Sequence, residues 1–252
     1  MSRFWTTFHR WGSPPSFYAF AGRALPWLGI PAVLLLLHGL YGGLVTAPAD
    51  YQQGEGFRMI YVHVPAAWLS LFVYSSMAVA GGIALIWRMK VAEVYVLDAA
   101  WLGAGFTAAA LISGMLWGKP MWGTYWVWDA RLTSELILLF LYLGVLALGR
   151  ALPEPRAAAR ACAVLAVVGA INVPVVHYSV EWWNTLHQGP TVTRMDKPAM
   201  AASMLWPLLE MTLGSMLLFG WAVLVRMRSS LLLRERRQSW VRELIAQQRA
   251  AA

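Results

Sequence analysis

Histidines beside aromatic residues occur in two separate segments of the chain. The segment YVHVPAAW contains His63, and the segment HYSVEWWNTLHQGP contains His177 and His187. Imidazole is a common axial ligand of haem iron, and two imidazoles from separate segments could bind opposite faces of one iron. His187, which lies near polar Asn184 and Gln188, is the first candidate and His63 the second. His177 could simply anchor a helix end, and each of the three could instead be a solvated or hydrogen-bonding residue.

A tryptophan-rich segment lies between these histidines in the chain. Residues 117–135 read WGKPMWGTYWVWDARLTSE and contain, in order, Trp117, Trp122, Trp126, Trp128 and Asp129. If residues 122–133 are helical, the period of 3.6 residues places Tyr125 and Asp129 on the same face as two of these tryptophans. Such a flat aromatic surface suits the face of a porphyrin, although spacing alone favours an ordinary amphipathic helix at a membrane interface.

Charged residues near these segments suggest how the edge of a porphyrin could be held. Basic side chains can pair with its two propionates, and the candidates are Arg58, Lys119, Arg131, Arg194 and Lys197. Asp129 would repel propionates, so we expect it to pair with Arg131, to fix the aromatic segment or to contact a partner protein. Because Cys162 is the only cysteine, the chain has no covalent haem-attachment motif, and we expect haem b to be bound non-covalently.

The composition indicates that these segments are positioned by membrane helices. Hydrophobic residues make up 59% of the 252 residues and charged residues only 13%, whereas about 25% is usual for charged residues in soluble domains. The chain has 15 tryptophans, a residue type enriched at membrane interfaces. The net charge of +8 does not indicate nucleic acid, because the basic residues lie between apolar stretches and in a terminal tail.

Six apolar stretches are long enough to cross a bilayer, which takes about 20 residues. They cover residues 24–47, 65–87, 94–117, 132–148, 157–176 and 199–225. We therefore predict an all-α polytopic membrane protein with one integral domain over residues 1–252, in which residues 226–252 form a basic tail. His38 and Glu210 fall inside spans, where an ionisable group is a functional candidate by default. We expect helix packing for His38, which has no obvious partner, and a hydrogen bond to a neighbouring helix for Glu210.

The distribution of basic residues predicts the orientation of the spans. Fifteen Lys and Arg residues lie in the two termini and in the loops that would share their side, and five lie in the other three loops. The positive-inside rule therefore places both termini in the cytoplasm. The two histidine segments and the tryptophan-rich loop then all face outward, which is toward the periplasm in a bacterial inner membrane.

These outward segments together resemble a known family. The run WGTYWVWDARLTSE over residues 122–135 resembles the tryptophan-rich WWD signature of the haem-handling protein superfamily. YVHVPAAW and VEWWNTLHQG resemble the flanking segments of the cytochrome c maturation protein C family, also called heme exporter protein C. Haem lyases with the same signature are usually larger and have more spans, so the short chain argues against them.

The resemblance implies a function in the delivery of haem for c-type cytochrome biogenesis. Haem would be bound at the outer face of the membrane by His63 and His187. The tryptophan-rich segment would support it and help to pass it to a haem chaperone, cytochrome c maturation protein E. The other expected partners are proteins A and B of an ATP-binding cassette transporter and the small single-span protein D. Because the chain has no P-loop, ATP hydrolysis would belong to a partner, and the chain itself would not be an enzyme.

Three other functions stay open at this point. A permease that moves haem through its own spans would need ligands inside the membrane, where His38 is the only imidazole. A quinone- or proton-linked membrane enzyme would use acids such as Glu210 and Asp98. A purely structural transporter subunit would bind no cofactor.

Overall fold

The computed structural model describes residues 12–189 and 200–251, and within them the regular structure is helical. The helices α1 to α8 are Pro14–Tyr41, Ile60–Trp87, Lys90–Trp122, Ala130–Ala151, Pro155–Gly169, Asn172–Trp182, Ala202–Arg234 and Ser239–Ala251. A π-helical turn, Gly42–Thr46, extends α1, and a 3-10 turn, Glu55–Met59, precedes α2. The prediction of an all-α protein is confirmed.

Six helical segments in this part of the chain are long and apolar enough to span a membrane, as predicted. They are Pro14–Thr46, Glu55–Trp87, Lys90–Trp122, Ala130–Ala151, Pro155–Trp182 and Ala202–Arg234. Most extend beyond the apolar stretches of the sequence, because polar residues at the interfaces continue the same helices. The fifth is formed by α5 and α6 with a break between them. The basic tail is largely helical, since it continues α7 and then forms α8.

The centre of the bundle is formed by α2, α3, α4 and α5. Tyr74 of α2 and Tyr142 of α4 meet edge to face with ring centroids 4.9 Å apart, and both are fully buried. The hydroxyl of Tyr142 donates to the Ser70 carbonyl oxygen at 2.7 Å. Gly103 of α3 leaves the space for the Tyr142 ring, because a Cβ at this position would lie 2.2 Å from it. Buried tyrosines with satisfied hydroxyls therefore hold together the helices that carry the pocket described below.

The tryptophan-rich segment is a loop between two helices, and the continuous helix considered over residues 122–133 is not formed. Gly123 has a φ of +76° and ends α3 in the left-handed conformation, which favours glycine. The chain is then non-helical until Asp129, whose carboxylate accepts a hydrogen bond from the Leu132 backbone N–H at 2.8 Å and so caps α4. Because Gly123 ends α3 and Asp129 caps the start of α4, the segment between them is a loop that joins two spans.

Candidate functional site

A pocket opens between the start of α2, the end of α3, the start of α4 and the segment that follows α6. It encloses about 880 Å³ of space between the side chains, including the part open to solvent. Its lining is mostly apolar and aromatic, and both candidate ligands, His63 and His187, contribute to it. The bundle therefore brings together two histidines that are 124 residues apart in the sequence.

The hydrogen bonds of His63 determine which ring nitrogen is free. Its Nδ1 lies 3.0 Å from Oγ of Ser113 on α3. That hydroxyl donates its own proton to the Ala109 carbonyl oxygen at 2.6 Å, so Oγ accepts from Nδ1–H of His63. In the neutral ring the proton is then on Nδ1, and Nε2 keeps its lone pair for a metal.

His187 has the same tautomer as His63, with the proton on Nδ1, because of a contact with the backbone. Its Nδ1 lies 2.9 Å from the Gln188 carbonyl oxygen, and a carbonyl can only accept, so Nδ1 carries the proton and Nε2 is free. Burial, followed by the positive charge of Arg131, lowers the pKa of His187 below its ordinary value. The neutral imidazole, which is the form that binds iron, is therefore favoured.

The spacing of the two rings fits one metal between them. The ring centroids of His63 and His187 are 6.2 Å apart. Two metal–nitrogen bonds of about 2 Å, plus about 1 Å from each nitrogen to its ring centre, give about 6 Å for imidazoles on opposite sides of an ion. The pair thus has the separation and the free nitrogens needed for the two axial ligands of haem iron.

Three of the four predicted tryptophans line the pocket. They are Trp117, Trp122 and Trp126. The Trp117 ring meets His63 edge to face at 5.7 Å and the Trp122 ring lies 6.4 Å from His187, both between centroids. Trp128 is 77% exposed and lies outside the pocket, although its ring contacts Trp126 at 5.3 Å.

Among the predicted propionate partners that the structure describes, Arg131 is the one that lines the pocket. Its guanidinium donates to the Val176 carbonyl oxygen at 2.6 Å. Arg58 lies elsewhere, where it pairs with Glu55 and donates to the Gly43 carbonyl oxygen at 2.6 Å. Lys119 bonds the Gly123 carbonyl oxygen and lies over the Tyr125 ring. Arg194 and Lys197 fall outside the described residues.

Two buried polar atoms of the lining have no hydrogen-bond partner within the described residues. They are Nε1 of Trp126 and Oε1 of Glu135. Buried polar atoms are normally satisfied, so each orphan calls for an explanation. An acceptor such as a ligand carboxylate would satisfy the Trp126 N–H, whereas Glu135 would need a donor. With the two free imidazole nitrogens and the flat aromatic walls, the Trp126 N–H fits a planar, carboxylate-bearing metalloporphyrin.

The remaining candidates lie outside this pocket. His177 is exposed and contacts the Tyr178 ring at 4.7 Å. Asp129 is the cap of α4 described above and makes no ion pair with Arg131 in the described part of the chain, so that expected pair is not formed. No partner for His38 was obvious in the sequence, but its Nδ1 lies 2.7 Å from Oε2 of Glu210, which was expected to bond a neighbouring helix.

Sequence reasoning did not identify Ser113 or Gln53. Nε1 of Trp117 donates to the Gln53 side-chain oxygen at 2.9 Å, which orients the indole at the pocket rim. Ser113 looks like any serine of an apolar helix in the sequence. Its position four residues before Trp117 was the available signal, since both then lie on one face of α3.

Comparison with known proteins identifies relatives of this chain. The family model for heme exporter protein C matches residues 7–242. The heme exporter protein C of Escherichia coli K12 is 52% identical over 244 residues, which is 96% of this chain and 97% of the relative. That of Bradyrhizobium diazoefficiens is 51% identical over 222 residues, covering 88% and 84% of the two chains. A putative cytochrome c biosynthesis ccmC-like mitochondrial protein of Marchantia polymorpha is 45% identical over 169 residues, covering 67% and 71%. Since the family model and the Escherichia coli relative cover nearly its whole length, the chain belongs to the heme exporter protein C family.

Proposed function

We propose that this protein binds haem b non-covalently at the outer face of the bacterial inner membrane and delivers it to a periplasmic haem chaperone. The observation that carries the proposal is the His63–His187 pair, with ring centroids 6.2 Å apart and both Nε2 atoms free. The iron supplies two axial coordination positions, one for each imidazole. In this proposal haem is cargo, and the protein binds and orients it without a catalytic step of its own.

The other pocket residues hold the porphyrin plane and its edge. Trp117 and Trp122 contact the ligand imidazoles and supply apolar surface for the ring. Arg131 is the cation of the lining that can pair with a propionate. The family resemblance supports delivery to cytochrome c maturation protein E. It also supports assembly with ATP-binding cassette proteins A and B and with the small protein D, with ATP hydrolysis assigned to that transporter.

The exposed part of the tryptophan-rich loop suits the delivery step. Trp128 is largely exposed while its ring contacts Trp126 inside the pocket. A chaperone that docked on Trp128 would therefore lie one aromatic ring away from the bound haem. Trp and Tyr are enriched among the residues that contribute most of the binding energy in protein interfaces.

Haem binding is tested by the visible spectrum of the detergent-purified protein. We expect a low-spin Soret band in the wild type, and haem loss or a high-spin spectrum in His63→Gly and His187→Gly, with partial recovery on adding imidazole. His177→Gly is the matched control because His177 is exposed and lies outside the pocket. A wild-type spectrum in both ligand variants would refute the assignment.

Delivery is tested by chaperone-linked haem at matched protein levels. Trp122→Ala, Trp126→Ala, Trp128→Ala and Asp129→Ala should keep a low-spin spectrum but lower the haem transferred, because these side chains orient haem or the loop and make no bond to iron. If the tryptophan variants lost iron ligation while the histidine variants kept it, the roles assigned here would be reversed.

A further inference from the structure

An ion-pairing contact lies inside the membrane-spanning part of the bundle, away from the haem pocket. Nδ1 of His38 on α1 is 2.7 Å from Oε2 of Glu210 on α7. The two helices approach closely here because residue 39 is glycine. A Cβ on Gly39 would lie 3.0 Å from the Met211 side chain and 3.2 Å from Cβ of Glu210. The packing of α1 against α7 thus places the pair and leaves it little freedom to separate.

The pair lies well below the outward-facing surface of the membrane. His38 is eight residues before the end of the first span at Thr46, and Glu210 is eight residues after the start of α7 at Ala202. At about 1.5 Å per residue, both are about 12 Å from the outer ends of their helices. Ionisable residues at such depth almost always face the bundle interior or a water-filled cavity.

Within this chain, His38 faces away from the interior of the helix bundle. Its side chain is 74% exposed, whereas that of Glu210 is 24% exposed. The exposed side of α1 around it is apolar and includes Leu34, Leu37 and Tyr41. If this chain were surrounded only by lipid, an imidazole would therefore face acyl chains that offer it no hydrogen bond, at a cost in free energy.

The possible positions of the protons in the His38–Glu210 pair show which atom of His38 is left without a partner. The membrane interior disfavours net charge, so the pair is electrically neutral overall. If His38 is cationic and Glu210 anionic, both ring nitrogens carry protons. If both are uncharged, Glu210 donates to Nδ1 and the ring proton is on Nε2. In either state His38 presents an Nε2–H donor, and no described residue accepts from it.

A shallow groove continues from this point along the same face. It runs between α1 and α7 and is lined by Leu25, Pro26, Gly29, Ile30, Val33, Leu34, Leu218 and Trp221. Leu34 lies one helical turn before His38, so the groove and the free N–H belong to one continuous surface. A helix packed in this groove would cover both features, whereas an acyl chain would fill the groove and leave the donor unsatisfied.

We propose that this face of α1 and α7 docks a transmembrane helix of another subunit, and that an oxygen acceptor on that helix bonds Nε2–H of His38. Serine, threonine, asparagine and glutamine are the side chains that make such bonds between membrane helices. The proposal rests on the proposed membership in a multi-subunit transporter, and it assigns the surface used and the chemistry of the contact.

The experiment is photo-crosslinking in membranes that contain the co-expressed transporter subunits. The photoreactive residue p-benzoylphenylalanine replaces Leu37 in one variant and Phe140 in another. Leu37 adjoins His38 and is 62% exposed, and Phe140 on α4 is the matched control at 60% exposed. We expect a protein adduct from position 37, mapped by mass spectrometry to a transmembrane helix in another subunit, and lipid adducts alone from position 140.

A second substitution tests the hydrogen bond itself. In the position 37 background, His38→Leu should lower the adduct about fivefold, as expected for one hydrogen bond between helices in lipid. The haem spectrum of this variant should be unchanged, which also shows that the protein folds. Glu210→Gln should have a smaller effect, because an amide can still bond Nδ1 and leave the proton on Nε2.

The possible failures are distinguishable. Lipid adducts alone at position 37, an adduct with a second copy of this chain, or an adduct insensitive to His38→Leu would each overturn the docking proposal and leave the haem function intact. A His38-dependent adduct in a protein that shows no haem spectrum would support the docking face and refute the proposed function.

Discussion

Gly114 provides the space in which the His63 ring lies, since a Cβ at this position would stand 3.0 Å from Cε1 of the imidazole. We expect Gly114→Val to push the ring out of line with His187 and to convert bound haem from low spin to high spin. Gly105→Val on the same helix is the control, because a Cβ there meets nothing within 4 Å. Equal visible spectra for the two variants would show that Gly114 does not position the ligand.

Ser113 fixes the tautomer of His63, so its removal should weaken haem binding without removing a ligand. Loss of such a supporting hydrogen bond typically costs about 10- to 100-fold in affinity for the metal, and we expect Ser113→Ala to fall in this range in a haem titration. Ser75→Ala is the control, since the Ser75 hydroxyl bonds only within its own helix, to the Leu71 carbonyl oxygen. An unchanged affinity in Ser113→Ala would contradict the tautomer assigned to His63.

Two substitutions separate the capping role of Asp129 from its charge. Asparagine also caps helices, so Asp129→Asn should keep α4 in place, whereas Asp129→Ala should cost about 1 kcal/mol of stability. We expect haem transfer to the chaperone to be near normal in Asp129→Asn and reduced in Asp129→Ala. Thermal unfolding and chaperone-linked haem would be measured together. If both variants lose transfer equally while remaining stable, the carboxylate charge itself is needed.

The lowered pKa of His187 predicts that haem is retained to a lower pH than an ordinary histidine would allow. A proton competes with iron for Nε2, so haem should be retained as the pH falls below about 6.5, the ordinary pKa of histidine, and be lost as it passes through the lowered value. Arg131 contributes to the lowering, so in Arg131→Gln the pKa rises and release should begin at higher pH. The Soret band followed against pH measures this. Arg150→Gln, at the other end of α4, should match the wild type, and a release pH in Arg131→Gln at or below the wild-type value would refute the electrostatic contribution.

The orientation of the chain is tested by reporter fusions. Fusions after Asp50, Lys119 and Pro190 should report the periplasm, and those after Lys90 and Pro155 the cytoplasm, because the charge asymmetry places both termini inside. An inside signal at Pro190, which lies beyond the described residues, would move His187 to the wrong side of the membrane for delivery to a periplasmic chaperone.

The sequence by itself was sufficient for the features that depend on local composition. Six spans follow from apolar runs of bilayer length, because a backbone in lipid must satisfy its hydrogen bonds as helix. His63, His187 and the tryptophan-rich segment are recognisable because their residue types and order carry the family pattern.

Only the tertiary structure decided which side chains meet. Spacing could not show that Arg131 lines the pocket while Arg58 bonds Gly43, since both are single basic residues near aromatic ones. Periodicity allowed a continuous helix across Gly123 that the structure does not contain, because the left-handed turn at that glycine does not alter the pattern of apolar residues. The His63–Ser113 bond and the His38–Glu210 pair join residues 50 and 172 positions apart. Such contacts depend on how helices pack, and a periodicity read along one helix contains no information about which face of another helix it meets.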